Sequence, residues 1–157
     1  MACYVDTSAW VALLGREANA GQMAQWMMRG MPLLTSVWTE VEVASALSIK
    51  ARRGELTQGM VLQTCQLFRE LLGTGGVTGV GCVTTDFQEA ALMCEQMSSG
   101  LRGGDALHLA VAQRAGSTHF LSFDKTLNRQ ALQMGLVLVD IEQDGGSSGK
   151  NAQEPSR

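Results

Sequence analysis

Short runs of β-prone residues alternate with helical stretches along this 157-residue chain. The runs are Cys3-Tyr4-Val5, Leu33 to Ser36, Val77 to Val83, Thr118 to Phe123 and Leu136 to Val139. Strands separated by helices point to an α/β domain with a mainly parallel sheet. Connections between parallel strands are nearly always right-handed and lay helices on both faces, so a three-layer α/β/α arrangement is expected.

The stretches between the strands carry their own punctuation. Ser8 to Leu14 reads as a first helix with Trp10, Val11 and Leu14 on one side, and Ala20 to Arg29 as a second with Met23, Trp26, Met27 and Met28 as core or subunit contact. A long helix follows from between Val37 and Glu40 to about Arg53, with Val41, Ala44, Leu47 and Ala51 as its apolar stripe and Gly54 as its stop. Thr57 caps a further helix to about Leu72, with Val61, Leu62, Cys65, Leu67, Phe68 and Leu71 as apolar residues. Asp86-Phe87-Gln88-Glu89 resembles a capping box opening a helix to about Met97. Gly100 and Gly103-Gly104 interrupt the chain before the strongly helical run Asp105 to Ala112, and Asp124 starts a last helix that Gly135 closes. With 45% apolar side chains, residues 1–141 are expected to bury one core as a single domain. Residues 142–157 have almost nothing to bury and are expected to form a disordered C-terminal tail.

The formal charge of −3 argues against a protein that holds nucleic acid by bulk positive charge. It leaves open one that reaches phosphates through a divalent metal, because a bound ion reverses the local sign of a carboxylate cluster. Cys3, Cys65, Cys82 and Cys94 lack the close pairing of zinc sites and read as reduced thiols. No basic segment followed by an apolar one opens the chain, and no run approaches the roughly 18 apolar residues of a membrane span. A soluble cytoplasmic protein without membrane association is the expectation.

Acidic residues recur at the ends or starts of these elements. Asp6 directly follows the first strand, with a hydroxyl at Ser8; Glu42 is early in a helix, Asp105 in the first turn of another, and Asp124 after a strand. Ligands of open parallel sheets sit beyond the carboxyl ends of the strands. Separated carboxylates suit Mg2+ or Mn2+, which prefer oxygen ligands and keep water and substrate phosphate in their remaining positions. Each acid also has a purely structural reading. Asp105 and Asp124 suit helix N-termini, Glu42 fits a capping box begun by Thr39, and Asp6 fits a turn.

The segments Tyr4-Val5-Asp6-Thr7-Ser8, Glu42-Val43-Ala44-Ser45-Ala46-Leu47, Asp105-Ala106-Leu107-His108-Leu109-Ala110 and Phe120-Leu121-Ser122-Phe123-Asp124 together resemble the PIN-domain family. The likeness is strongest to the VapC-type toxins of bacterial toxin-antitoxin pairs, and it spans about residues 1–141. It implies a PIN-like fold and a small endoribonuclease using Mg2+ or Mn2+, in which a metal-activated water attacks an RNA phosphodiester. It further implies a homodimer inhibited by a cognate antitoxin protein whose tail fills the active-site groove. Carried over by position, Asp6, Glu42, Asp105 and Asp124 are metal ligands, and Ser8 and Ser122 support them; the family commonly has Thr in place of Ser122.

Glu40 competes with Glu42 from a different helix face. His108 falls three residues after Asp105 and reads as a packed or supporting histidine rather than a general base. Arg102, Lys125 and Arg129 read as solvated charges with phosphate steering as the alternative, and Trp38 as core with base stacking as the alternative. Two other classes compete: a catalytically inactive PIN-fold binding module, and an aspartyl-phosphate protein. A phosphatase of the latter class would carry an Asp where Ser8 stands.

Overall fold

The computed structural model describes residues 1–141. The tail expected from residue 142 onward lies outside the described residues. Five short strands, β1 (Cys3–Val5), β2 (Leu33–Ser36), β3 (Thr78–Val80), β4 (His119–Leu121) and β5 (Val137–Leu138), form one sheet in the order β3-β2-β1-β4-β5. Every pairing is parallel; Tyr4 stands beside Leu34 on one side and Phe120 on the other. The helices are α1 (Thr7–Leu14), α2 (Ala20–Met27), α3 (Trp38–Arg52), α4 (Gln58–Gly73), α5 (Thr84–Glu95), α6 (Gly103–Arg114) and α7 (Lys125–Gln133). The three-layer α/β architecture expected from the alternation is the one observed.

Alternation along β1 divides the core. Successive strand side chains point to opposite faces, so Cys3 and Val5 pack with Trp10, Met23, Leu47 and Phe68 of α1 to α4, whereas Tyr4 packs with Leu107, Phe120 and Leu127 on the α6 and α7 side. Helix α6 is apolar nearly all round, and Ala106 to Ala112 are all buried between α5, α7 and the sheet. The one polar residue in that run, His108, is therefore carried into the interior.

Several boundaries and faces differ from the pattern reading. Of the stripe expected for α3, Leu47 is buried and Ala44 and Ala51 pack against the core, joined by Thr39 and Val43, but Val41 is 56% exposed, the helix turning its inner face toward both α1 and α4. Leu62 and Leu67 of α4 likewise face outward, leaving Val61, Cys65 and Phe68 inside. Met28 is exposed beyond the end of α2. Strand β3 stops at Val80 rather than Val83, and α5 begins at Thr84, so Asp86 lies in its first turn instead of opening it. Its carboxylate accepts from the Val83 N–H at 2.8 Å and is buried. Helix α5 ends at Glu95, and Met97–Ser99 forms a separate 3-10 turn. Gly103 and Gly104 are the first residues of α6 rather than an interruption before it. Thr39 is inside α3, its hydroxyl accepting from Thr35 at 2.9 Å, so the capping-box account of Glu42 does not hold.

Among the described residues no helix is long and apolar enough to cross a membrane. All four cysteines are free thiols.

Candidate active site

Beyond the carboxyl ends of the central strands β1 and β4, between the segments that follow them and helices α3 and α6, a cavity of about 570 Å³ opens. Asp6, Ser8, Glu42, Asp105 and Asp124 all line it, joined by Thr7 and His108. Four carboxylates separated by as much as 118 residues of sequence (Asp6 to Asp124, 124 − 6) thus come together in one place rather than scatter over the surface.

Asp6 caps α1 and is only 3% exposed. Its Oδ1 accepts from the Ser8 hydroxyl at 2.7 Å and the Ala9 N–H at 3.1 Å, and its Oδ2 accepts from the Ser122 hydroxyl at 2.8 Å. Burial nevertheless pushes its pKa above the ordinary carboxylate range, outweighing the His108 imidazole and the three donors. Ser8 and Ser122 also stitch two loops together, because the Ser8 oxygen accepts from the Phe123 N–H at 2.8 Å and the Ser122 oxygen from the Asp124 N–H at 2.9 Å. Both hydroxyl protons are thereby directed at Asp6. The two serines brace that carboxylate, and of the pair Ser8 alone lines the cavity.

Asp105, in the first turn of α6, has a single weak hydrogen bond, from the Arg102 N–H at 3.3 Å. Burial raises its pKa, and the neighbouring charges of Asp124 and Glu42 raise it further. Asp124 caps α7, its Oδ1 accepting from the Leu127 N–H at 2.8 Å, and its side of the cavity is exposed. Both acids therefore fill the helix-start positions that their structural readings gave them, while also facing the cavity.

Glu42 behaves differently. Its Oε2 accepts from the Thr7 hydroxyl and from His108 Nε2, the latter at 2.6 Å. Burial works to raise its pKa, but the His108 imidazole, the Thr7 hydroxyl and the Trp38 indole together bring it below the usual value. Glu40 points away and pairs with Arg69 of α4 at 2.5 Å. Of the two glutamates, Glu42 lines the cavity and Glu40 does not.

Gly104 is the closest neighbour on the other flank. A Cβ at this position would lie 2.6 Å from Glu42 Oε1 and 3.4 Å from Trp38 Nε1, so glycine is what lets α6 approach the carboxylate. Trp38 is half-buried against Phe87 and Leu107, with its indole beside Glu42, which is the packed role rather than a free stacking platform. Arg129 Nη2 donates to the Ser99 carbonyl at 3.1 Å, whereas Arg102 and Lys125 are exposed at the starts of α6 and α7. Lys50, at the end of α3, is taken up by Glu17 at 3.0 Å and Glu55 at 3.8 Å.

Thr7, Tyr4, Trp38 and Gly104 are neighbours of this acidic site that the sequence pattern does not single out for it. Thr7 had one available signal, a hydroxyl directly after a strand-end aspartate; the others depend on contacts distant in sequence.

Whether these residues suit a divalent ion rests on their chemistry. Among the described residues no group of three or more His, Cys, Asp and Glu side chains is gathered tightly enough to enclose an ion. Hard ions such as Mg2+ do not need such a cage, since they keep several waters and use one or two carboxylates. A pocket with two acids destabilised in their charged form and no Lys or Arg ion-paired to Asp6, Asp105 or Asp124 among the described residues fits that mode.

The fold is a parallel three-layer α/β domain with an acid-lined pocket beyond its central strands. Residues 3–132 match the PIN domain, and the chain belongs to that family. It is 28% identical over 142 residues to Ribonuclease VapC35 of Mycobacterium tuberculosis, covering 87% of this chain and 94% of that protein. Its fold is similar to that of Mycobacterium tuberculosis VapC20, a sarcin-ricin loop cleaving toxin, with a TM-score of 0.66 at 18% identity over 82% of this chain and 95% of the other. FitAcB from Neisseria gonorrhoeae superposes with a TM-score of 0.59 at 13% identity, over 89% of this chain and 98% of that one.

Proposed function

We propose that this protein is a Mg2+- or Mn2+-dependent endoribonuclease, the toxin of a type II toxin-antitoxin pair. The observation that carries the reading is the convergence of Asp6, Glu42, Asp105 and Asp124 on one cavity beyond the carboxyl ends of the central strands. The likeness to Ribonuclease VapC35 over most of both chains supports RNA as substrate.

In this account Asp6, Asp105 and Asp124, with Glu42 beside them, hold the cation, and Ser8 and Ser122 keep both Asp6 oxygens in place. A divalent ion so held supplies an acidified water and neutralises charge at the phosphodiester. Arg102 and Lys125, exposed at the two helix starts bordering the acids, draw the RNA backbone toward the pocket. The nuclease unit is residues 1–141. The family likeness carries the further reading that the protein works in the cytoplasm as a homodimer. A cognate antitoxin silences it by filling the groove.

The test is cleavage of mixed RNA by the purified protein with Mg2+ or Mn2+, with Asp6→Asn and Asp105→Asn alongside. The reading expects cleavage by the wild type and a loss of at least about 100-fold in each variant. Equal cleavage by all three contradicts it. The binding-module reading draws on the absence of a tight acid cluster among the described residues. It predicts neither heat nor thermal stabilisation on adding Mn2+.

A further inference from the structure

Glu42 is joined to the core by a chain of polar groups that crosses from one side of the sheet's edge to the other. Tyr4, fully buried in β1, places its hydroxyl 2.8 Å from His108 Nδ1, and the same oxygen accepts from the Ser36 N–H at 3.1 Å. His108, 2% exposed in α6, places its Nε2 2.6 Å from Glu42 Oε2 and 3.0 Å from the Thr7 hydroxyl.

The directions of these bonds follow from the donor inventory. A phenol has one proton, and the Ser36 amide can only donate, so the Tyr4 proton has His108 Nδ1 as its acceptor. Burial raises the Tyr4 phenol far above its ordinary pKa, which keeps that proton in place. In the neutral imidazole, an accepting Nδ1 leaves the ring proton on Nε2, within reach of Glu42 Oε2 and the Thr7 oxygen. The backbone amide of β2 thus sets the proton of Tyr4, which sets the tautomer of His108, which fixes Oε2 of Glu42.

We propose that Tyr4 and His108 are positioning residues that orient the Glu42 carboxylate by tying up its Oε2, while Oε1 lies in the space that Gly104 leaves beside the Trp38 indole. This rests on the reading of Glu42 as a ligand for the catalytic cation. The physical need is plain: a glutamate has three rotatable bonds, and a ligand left to rotate loses entropy on binding that a braced one has already lost. Neither residue touches substrate; both act through Glu42.

Two readouts on the full chain separate the parts of the proposal. The first needs no metal: side-chain nitrogen NMR of the wild type should show His108 protonated at Nε2 and accepting at Nδ1. In Tyr4→Phe, which keeps the ring stacked on Phe120, the Nδ1 resonance should move toward that of an unbonded imidazole nitrogen. The second is Mn2+ titration by calorimetry. Affinity should fall about 10-fold in His108→Leu and stay within about 3-fold of wild type in His108→Gln, whose amide offers both a donor to Glu42 and an acceptor to Tyr4. A proton on Nδ1, or an Nδ1 resonance indifferent to Tyr4→Phe, overturns the proposal whatever Mn2+ does. Equal Mn2+ affinity in wild type and His108→Leu overturns it as well. A wild type that binds no Mn2+ removes the ligand reading of Glu42 and leaves the nitrogen spectra to decide the positioning. Because His108→Gln should fold even where Tyr4→Phe or His108→Leu fails, it keeps the test open.

Discussion

Asp86 and Asp6 are buried to nearly the same degree, 2% and 3% exposed, yet the protein treats their charges in opposite ways. Asp86 has a cation of its own: Arg114 of α6 donates from Nε at 2.6 Å and from Nη2 at 2.9 Å, and the same Nη2 reaches the Gly81 carbonyl at 2.6 Å. The Arg114 guanidinium holds the Asp86 pKa below the usual range, against the pull of burial. Asp6 has hydroxyls and an amide but no Lys or Arg ion pair among the described residues, and its pKa rises. The first carboxylate is finished as it stands and latches the β3–α5 connection to α6. The second is left short of positive charge, as is Asp105, and both face the cavity. Burial alone therefore does not distinguish the two acids; the internal counter-ion, present at Asp86 and absent from Asp6 among the described residues, does.

The sharpest way to break this contrast is to neutralise a pocket acid and a latch acid in parallel. Asp105→Asn should reduce RNA cleavage by at least about 100-fold while leaving the fold intact, as read by gel assay and circular dichroism. Gly104→Ala comes next. Its new Cβ would have to displace Glu42 Oε1, so Mn2+ affinity and cleavage should each drop about 10-fold with little change in the far-ultraviolet spectrum. Asp86→Ala should do the reverse. It removes the acceptor for Val83 and Arg114, costing about 2 kcal/mol in urea unfolding, with cleavage below the transition within about 2-fold of wild type.

The smallest effect is one of sign with pH. Asp86 titrates below its unfolded value in the folded protein, so its contribution is whole above about pH 4 and is lost as pH falls through the folded pKa. For Asp6 the folded pKa lies above the unfolded one, so stability is whole below about pH 4 and declines as pH rises through the folded value. Without added metal, Asp6→Asn should thus gain on wild type in melting temperature as pH rises from about 4, whereas the deficit of Asp86→Asn should be full and constant above about pH 4 and shrink only as pH falls below it.

How far these features could be read from the chain depends on how local their causes are. The strands, the parallel sheet and the positions of Asp6, Asp105 and Asp124 at element boundaries follow from short-range signals: a β-prone run, a cap, a glycine stop. Glu42 is separable from Glu40 by a resemblance and, in the folded chain, by the helix face it shares with Ala46, which also lines the cavity. The rest is set by distant partners. Asp86 looked like a cap because Arg114, 28 residues on, leaves no mark in its neighbourhood. Gly103 and Gly104 looked like a break because glycine is a poor helix former; the close approach of Glu42 that requires Gly104 is invisible until α3 and α6 meet. Val41 looked like core because a single helix pattern does not say that two neighbours, α1 and α4, share the inner face.

The claim that the pocket acids await a divalent cation is tested most directly by melting the metal-free protein at pH 7 with increasing Mn2+. Wild type should gain about 2.7 kcal/mol of stability at a hundredfold excess over the dissociation constant, and Asp6→Asn and Asp105→Asn should gain far less. An unmoved wild-type transition, or one that rises equally in both variants, would contradict the account.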